Sequence, residues 1–566
     1  MTREKQLALV RGSSSQELWS KSLGEIIAEK ATSLGDKELA IFPWQDVRLS
    51  YRQLAERGEL VAAALLRAGI RHSDCIGIMA GNRHEYLEVV IGATSIGCHV
   101  LTLNTTYKPW ELRNALQKTL CRVLFIASTI GTRSLSEHIQ LLTSSSEIVR
   151  MPDLEQTIIL GDNGNSSFAG SHLYDEFLAL HGEKLPDANI PVAPNDVLSL
   201  QLTSGTTGEP KASMLTHINL LNNARFLGQQ MELTGQDIVC CPPPLFHCFG
   251  LVMAFFSTLI HGAKIVFPSD HFDPGLVLDA LQQEDCTTLL GVPTMFAAEL
   301  EILHEKNYSL TSLCKGLVAG SPVSPAMMSE LRKHMGIDGM VISYGMTETS
   351  TITFSTSLLD SIENRTKTVG TVMPHVTAKV VNERGDTLLR GERGELCISG
   401  YALHRGYLNN RAKTDEVMKI ADDGTLWMHT GDECLIDEAG YCHVLGRIKD
   451  IIIRGGENIF PKEIEEHLLR HPQVVEASVI GIPDPKYGEA VGCFLRLSDD
   501  GPKPRKDEIQ NWVRAEMGRS KTPQSVFWVG PDEACSHIPQ TGSGKHQKHV
   551  LRQMACTLLD THVQTE

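Results

Sequence analysis

Positive charge is scarce in this chain. Against 68 acidic residues stand 52 lysines and arginines, a net charge of −16 with histidine neutral. A general nucleic-acid binder needs a basic face, so that class is excluded. Any anionic ligand must be held by local positive groups. Paired cysteines are also missing. The 14 cysteines are scattered from Cys75 to Cys556, none forms a C-x-x-C pair, and Cys240 and Cys241 are merely adjacent. Zinc-site spacing and a disulfide framework are thereby disfavoured, leaving reduced core thiols. Long apolar runs are absent too. LVMAFFSTLI (251–260) is too short to span a bilayer, so no transmembrane segment is expected. MTREKQLALVRGSSSQELW carries only a four-residue apolar run and does not read as a secretory signal. THVQTE is not a peroxisomal address of the S-K-L kind. The expectation is a cytoplasmic protein, with peroxisomal import left open and the oligomeric state not legible.

A chain of 566 residues exceeds one hydrophobic core and should divide into two to four packed units. RQLAERGELVAAALLRAGI (52–70) has helical apolar spacing and ends at a glycine. CIGIMAGN (75–82) reads as a buried strand entering a turn. EYLEVVIGATSIGCHVLTLN repeats the helix-then-strand rhythm, and RVLFIAS (122–128), TIILGD (157–162) and VLSLQLTS (197–204) add strands. AKIVFPS, TTLLGVPT, KGLVAGS and GMVISYG follow, each ending in small residues or proline. Alternating helices and strands predict an α/β sheet with crossover connections, whose ligands bind beyond the carboxyl ends of the strands. From about 376 the texture becomes hairpin-like. After GRIKD (446–450) it changes again to a compact α+β pattern, which places a boundary near Ile448-Lys449.

The stretch LTSGTTGEPKAS (202–213) poses the functional question. A Gly/Ser/Thr turn after an apolar strand can aim several backbone N–H groups inward as an anion nest, and Lys211 adds one mobile charge. A solvated surface loop is the plainer reading of such composition. A Walker loop is excluded, because Pro210 stands where its lysine would be.

TSGTTGEPK resembles the phosphate-loop signature of the acyl-adenylate-forming (AMP-binding) superfamily, which includes acyl-CoA synthetases, luciferases and peptide-synthetase adenylation domains. The family's other motifs follow in order: PPPLFHCFG (242–250), SYGMTET (343–349), WMHTGD (427–432), GRIKDIIIRGGENIFPKEIE (446–465) and IPQTGSGK (538–545). The resemblance implies an α/β fold: a large N-terminal domain (1–446) of two α/β subdomains plus a small β-barrel-like one, with a small mobile α+β C-terminal domain (447–566). It also implies two half-reactions. A carboxylate attacks the α-phosphorus of ATP and displaces pyrophosphate; the thiol of coenzyme A then displaces AMP. Such chemistry rests on positioning and charge neutralisation.

Roles follow by motif. Thr203, Ser204, Gly205, Thr206, Thr207, Gly208, Glu209, Pro210 and Lys211 would cover the β- and γ-phosphates; Ala212 departs from the usual glycine. Gly320, Ser321 and Pro322 would lie along the adenine, with Ser321 a mild departure. Ser343, Tyr344, Gly345 and Met346 continue that wall. Tyr344 would offer its ring face, Thr347 a hydroxyl to the α-phosphate, and Glu348 a carboxylate to Mg²⁺. Asp432 would take the ribose hydroxyls, a pair a carboxylate can accept, and Arg447 would reach the ribose or α-phosphate side. His247 is expected at the gate of the acyl pocket; a packed core histidine is the alternative. Lys545, by composition a solvated lysine, becomes the adenylation lysine. A rotation about Lys449 would exchange it for Arg454, Gly455, Gly456 and Glu457 in the thiol step, with Lys521 near CoA.

Phe246, Met253, Val292, Met295 and Phe296 are expected to line an apolar acyl pocket, which points to a medium-chain or bulky lipid-like acid. Apolar pockets separate chain lengths only in small steps. The alternatives are an aryl- or hydroxy-acid CoA ligase of a secondary-metabolite pathway, a luciferase-like monooxygenase, and an inactive binding protein. The joint presence of Lys545, Glu348, Asp432 and Arg447 speaks against the last. The expected ligands are ATP, Mg²⁺, coenzyme A and a small-molecule carboxylic acid, with no nucleic acid.

Overall fold

The computed structural model describes residues 6–143, 151, 153–161, 170–181, 190–203, 210–320, 323, 325–498, 502–531, 533–541 and 545–563. Two compact units form. The larger comprises Val10–Thr377 and Ile398–Met428; the other comprises Met1–Leu9, Ala378–Cys397 and His429–Glu566. The 446/447 boundary expected from the sequence lies within the second unit. Among the described residues no helix is long and apolar enough to cross a membrane.

The larger unit holds two α/β sheets. One runs His172–Leu173, Gln156–Leu160, Cys121–Ala127, Cys75–Met79, His99–Thr102, Val197–Thr203 and Lys211–Thr216. All neighbours are parallel except the last pair. Strands covered on both faces read as unbroken apolar runs, and every residue of CIGIM is buried. The helix Tyr51–Arg67 starts where the sequence signals it. Ser50 Oγ accepts from Gln53 N at 3.1 Å, while Gln53 Oε1 accepts from Ser50 N at 2.8 Å, a reciprocal cap.

The second sheet has as its parallel middle Gly339–Tyr344, Lys315–Ala319, Thr288–Gly291, Ile238–Cys240, Lys264–Val266 and Glu38–Phe42. The chain passes from Ile238–Cys240 to Lys264–Val266 on one side, then crosses back to Thr288–Gly291 on the other. Strand order therefore reverses between Ile238–Cys240 and Thr288–Gly291. The crevice beyond the carboxyl ends at such a reversal is where ligands bind in sheets of this kind. The chain leaves that point through the loop PPPLFHC on one strand and through Val292 into the helix Pro293–Glu305 on the other.

Asn82, nearly fully buried, shapes the loop PPPLFHC. Its Nδ2 donates to Pro243 O at 3.0 Å and its Oδ1 accepts from Leu245 N at 2.7 Å. The apolar run that follows is a buried π-helix, Phe249–Phe256, continuing as the α-helix Ser257–His261. π-Helical turns are rare and cluster at functional sites.

In the unit holding the C-terminus, one sheet orders Glu457–Ile459, Ile452–Arg454, Gly488–Leu497 and Val474–Asp484, with Ser525–Val529 added parallel to Gly488–Leu497. Alternate residues serve opposite faces. Val479 and Cys493 pack with Ile464 and Val513 of the helices Pro461–Leu468 and Lys506–Lys521. Ile480 and Phe494 pack with Leu551 and Ala555 of the helix Lys548–Val563. Period-two alternation on a two-sided sheet yields this division. The sequence pattern had not indicated Ser525–Val529 or Lys548–Val563.

Candidate active site

In the larger unit, the strands Val197–Thr203 and Lys211–Thr216 run antiparallel, with Thr203 opposite Lys211. Thr203 Oγ1 reaches Lys211 O at 3.5 Å. Ser204, Gly205, Thr206, Thr207, Gly208 and Glu209 lie outside the described residues; Pro210 and Lys211 lie inside them. A distant segment runs along Lys211–Thr216: Leu408 N donates to Ala212 O, Met214 N to Gly406 O and Arg405 N to Met214 O, all within 3.0 Å. That pairing sets the Tyr407 ring 5.0 Å from Lys211 Nζ. The Tyr407 hydroxyl donates to Glu348 Oε1 at 2.9 Å, and Glu348 is buried. His404 N donates to Glu348 O at 2.9 Å. The His404 Nδ1 meets Ser213 Oγ at 2.8 Å. Burial depresses the His404 pKa to about 4 even with Glu348 nearby, so the ring is neutral beside the carboxylate. Lys211, Tyr407 and Glu348 thus form one cation–phenol–carboxylate group.

The loop carrying Glu348 is strained and held from outside. A Cβ on Gly345 would sit 2.0 Å from Thr351 O, so the motif's glycine is required by close backbone approach. Ser350 and Thr351 follow with φ of 57° and 103°, the latter unusual for a β-branched residue. Asn223, on the helix His217–Gln230, clamps the next residue: its Nδ2 donates to Ile352 O at 2.7 Å and its Oδ1 accepts from Ile352 N at 3.1 Å. Thr353 N donates to Tyr344 O and closes the loop. Ser343 Oγ and Ser355 Oγ are 3.0 Å apart. Tyr344, Met346 and Thr347 are half-buried. Gly320 is exposed at the end of Lys315–Ala319, while Ser321 and Pro322 lie outside the described residues.

At the sheet reversal, His247 Nδ1 accepts from Phe249 N at 3.1 Å, which places the ring proton on Nε2. Phe246, Met253 and Phe296 are buried; Val292 and Met295 are half-buried. Phe296 belongs to the same apolar cluster as Cys240. The helix Pro293–Glu305, capped at Val292, carries the second set.

The other unit contains the remaining motif residues. Asp432 and Arg447 are register partners on antiparallel strands, with Arg447 Nε 2.8 Å from Asp432 Oδ1. Arg447 also donates to Thr430 O at 3.2 Å. The turn into Asp432 is braced by Glu395, which accepts from Gly431 N at 3.1 Å and lies 2.7 Å from His429 Nδ1. Glu395, Cys397 and His429 could surround a cation. Burial, however, raises the Cys397 thiol to about 12, and Glu395 is already engaged by the turn. Lys449 is exposed in the single turn Ile448–Asp450.

Gly455 and Gly456 join Ile452–Arg454 to Glu457–Ile459 as a two-residue hairpin turn, with φ of 60° and 86°. Two positive φ values demand glycine-like residues, so the hairpin alone accounts for the pair. The Arg454 guanidinium lies 4.1 Å from the Tyr487 ring centre. Ser520 Oγ donates to Glu457 Oε1 at 3.1 Å, and Lys521 pairs with Glu463. Arg454, Glu457 and Lys521 therefore share one neighbourhood.

Lys545 is exposed and bonded to Thr541 in both directions: Thr541 N donates to Lys545 O at 2.7 Å and Lys545 N to Thr541 Oγ1 at 3.1 Å. Glu476 binds residues on both sides of Lys545 in the sequence. Its Oε1 accepts from Gln540 Nε2 at 2.9 Å and lies 2.9 Å from His546 Nε2, while its Oε2 accepts from Arg496 at 3.0 Å. The sequence reading missed Tyr407, His404, Asn223, Glu395 and Glu476, because none stands in a chemically distinctive local pattern.

The chain matches the AMP-binding enzyme family over residues 27–408 and the AMP-binding enzyme C-terminal domain over residues 463–545. It is 46% identical to the acyl-CoA ligase sidI of Aspergillus fumigatus over 556 residues, covering 98% of this chain and 94% of that protein. Against the acyl-CoA ligase SID4 of Ajellomyces capsulatus it is 44% identical, covering 98% and 95%. The solved structure of the anthranilate CoA ligase AuaEII with anthranoyl-AMP superposes with a TM-score of 0.84 at 24% identity, covering 96% of this chain and 98% of that one. The chain belongs to the AMP-binding enzyme family, with that family's large N-terminal α/β domain and small C-terminal domain. Within it, the chain is an AMP-forming acyl-CoA ligase.

Proposed function

We propose that this ligase activates an apolar carboxylic acid through an acyl-adenylate and passes it to coenzyme A, releasing pyrophosphate and AMP. The Lys211–Tyr407–Glu348 group carries this reading. It holds a cation at the end of the phosphate-loop hairpin and a buried, oriented carboxylate beside it. Such preorganised charge is what transfer at a phosphorus centre requires. One hard carboxylate, fixed on one oxygen by a phenol, suits Mg²⁺, which takes few protein ligands and otherwise phosphate and water oxygens. Glu348 would hold the ion, whose chemistry is to neutralise phosphate charge.

The other roles follow the motifs. Tyr344 stacks on adenine, with Gly320, Ser321, Pro322, Ser343, Gly345 and Met346 around it. Thr347 donates to the α-phosphate. Asp432 accepts the ribose hydroxyls and Arg447 reaches the ribose or α-phosphate side. Lys545 steadies the carboxylate and the α-phosphate during adenylation. A rotation at Lys449 replaces it by the Arg454–Glu457 hairpin, with Lys521 beside CoA, for thioester formation. The buried or half-buried Phe246, Met253, Val292, Met295 and Phe296 support an apolar tail, gated by His247.

The test measures pyrophosphate release with MgATP across a panel of acids, with and without CoA. Lys545→Ala should abolish adenylation yet leave thioesterification of supplied acyl-AMP intact. Equal loss of both steps would defeat the alternation account.

A further inference from the structure

The strand Leu426–Ile436 leaves its regular course just before Asp432. Gly431 stands inside it with a φ of 71°, a left-handed angle that no regular strand contains. The backbone N–H groups on either side of that kink are served by side chains. Gly431 N donates to Glu395 Oε1 at 3.1 Å, and Asp432 N donates to Thr430 Oγ1 at 3.1 Å. A glycine inside a strand, with a local departure of this kind, re-aims the side chain beside it. That side chain is the carboxylate of Asp432.

The tethers come from the neighbouring strand, Gly394–Gly400. Glu395 spans two residues of the kink, since its other oxygen lies 2.7 Å from His429 Nδ1. Thr430 Oγ1 donates to Leu396 O at 2.8 Å while it accepts from Asp432 N. His429, Thr430, Gly431 and Asp432 are thus fixed one after another, two of them directly by Glu395. Thr430 and Asp432 are buried, whereas Glu395 and His429 are half-buried. Arg447, 2.8 Å from Asp432, has a side chain 48% exposed, so the pair opens to the surface of its unit. A regular ladder would satisfy the same N–H groups with carbonyl oxygens and would need no half-buried carboxylate. The departure falls at the motif, and departures from local rules concentrate at functional sites.

We propose that Glu395 is a positioning residue for nucleotide binding: by holding Gly431 in its left-handed conformation, it sets the direction from which Asp432 meets the ribose hydroxyls. It acts through Asp432 and not on the substrate. A carboxylate suits the task because its two oxygens serve two donors at once, here a backbone N–H and an imidazole two residues before it. The inference rests on the proposed ribose role of Asp432 and adds the residue that aims it.

The experiment titrates the affinities of ATP and of 2′,3′-dideoxy-ATP for the wild-type enzyme, Glu395→Ala and Glu395→Gln, and follows pyrophosphate release with MgATP on the same proteins. The wild-type enzyme should bind ATP at least about tenfold more tightly than the dideoxy nucleotide, since a site built around hydroxyls rejects their absence strongly. Glu395→Ala should weaken ATP about tenfold and the dideoxy nucleotide less than about twofold, with the KM for ATP rising more than kcat falls. Glu395→Gln, whose amide oxygen still accepts from Gly431 N, should keep most of the selectivity. If the alanine variant does not fold, Glu395→Asp, one methylene too short to serve both donors, decides by the same measure. Equal weakening of both nucleotides, or an unchanged affinity for ATP, overturns the positioning role and leaves that of Asp432 intact. Equal affinity of the wild-type enzyme for the two nucleotides overturns the ribose role of Asp432, and the proposal with it.

Discussion

Replacing Glu476 by alanine should separate the two half-reactions although Glu476 belongs to no motif. The carboxylate binds Gln540 and His546, on both sides of Lys545 in the sequence, and is itself held by Arg496. Its side chain is 14% exposed while that of Arg496 is 42% exposed, so the arginine contact is partly screened. Taking about 1.5 kcal/mol for each of the contacts to Gln540 and His546, the hold lost is about 3 kcal/mol. If half of that appears as misplacement of Lys545, adenylation falls about tenfold, at about 1.4 kcal/mol per decade. The assay is pyrophosphate release at saturating MgATP, set beside thioesterification of supplied acyl-AMP. The first should fall and the second should hold. Equal decline of both, or no decline in adenylation, would refute the reasoning. Acid should mimic the substitution. Burial pushes the Glu476 pKa up, but the His546 and Arg496 contacts outweigh it and leave the value below the ordinary 4.5. A depressed carboxylate contributes fully above its unfolded pKa and loses its contribution as pH falls through the folded one. The hold on Gln540 and His546 should therefore persist at neutral pH and fade only below about 4.5.

Tyr407→Phe removes the phenol that orients Glu348 and should raise the KM for MgATP, with kcat/KM down about five- to twentyfold; an unchanged KM would show that Glu348 needs no such support. His404 and His217 are buried and both depressed to about 4. The unfolded chain then binds more protons between that value and the ordinary 6.5, so stability should fall as pH drops through this window. Melting temperatures across it should decline, and His404→Gln should flatten the decline; an unaltered slope would remove His404 from the account.

What was legible in the sequence is whatever a short stretch can declare. CIGIM, KGLVA and GMVISY announce buried strands, because each is covered on both faces and carries no polar alternation. RQLAERGELVAAALLRAGI announces a helix by its apolar spacing. The motifs announce their ligands because glycine, hydroxyl and lysine must be neighbours to cradle phosphate. Tyr407 could not be read this way. Its role arises when 404–408 pairs with Lys211–Thr216, about 190 residues earlier in the chain, and that register is set by tertiary packing. Glu476 and Asn223 were hidden for the same reason. The π-helical path of FGLVMAFF was hidden for another: its composition equally suits an ordinary buried helix.

The loop from Gly345 to Ile352 has a shape it would not choose alone. Two residues with positive φ are kept in place by Asn223, which lies 129 positions away. The motif is therefore not a portable part. Moved into another chain without a helix bearing that amide at that height, SYGMTETST would relax toward commoner backbone angles and carry its carboxylate elsewhere. Engineers who graft this signature should graft its distant clamp as well.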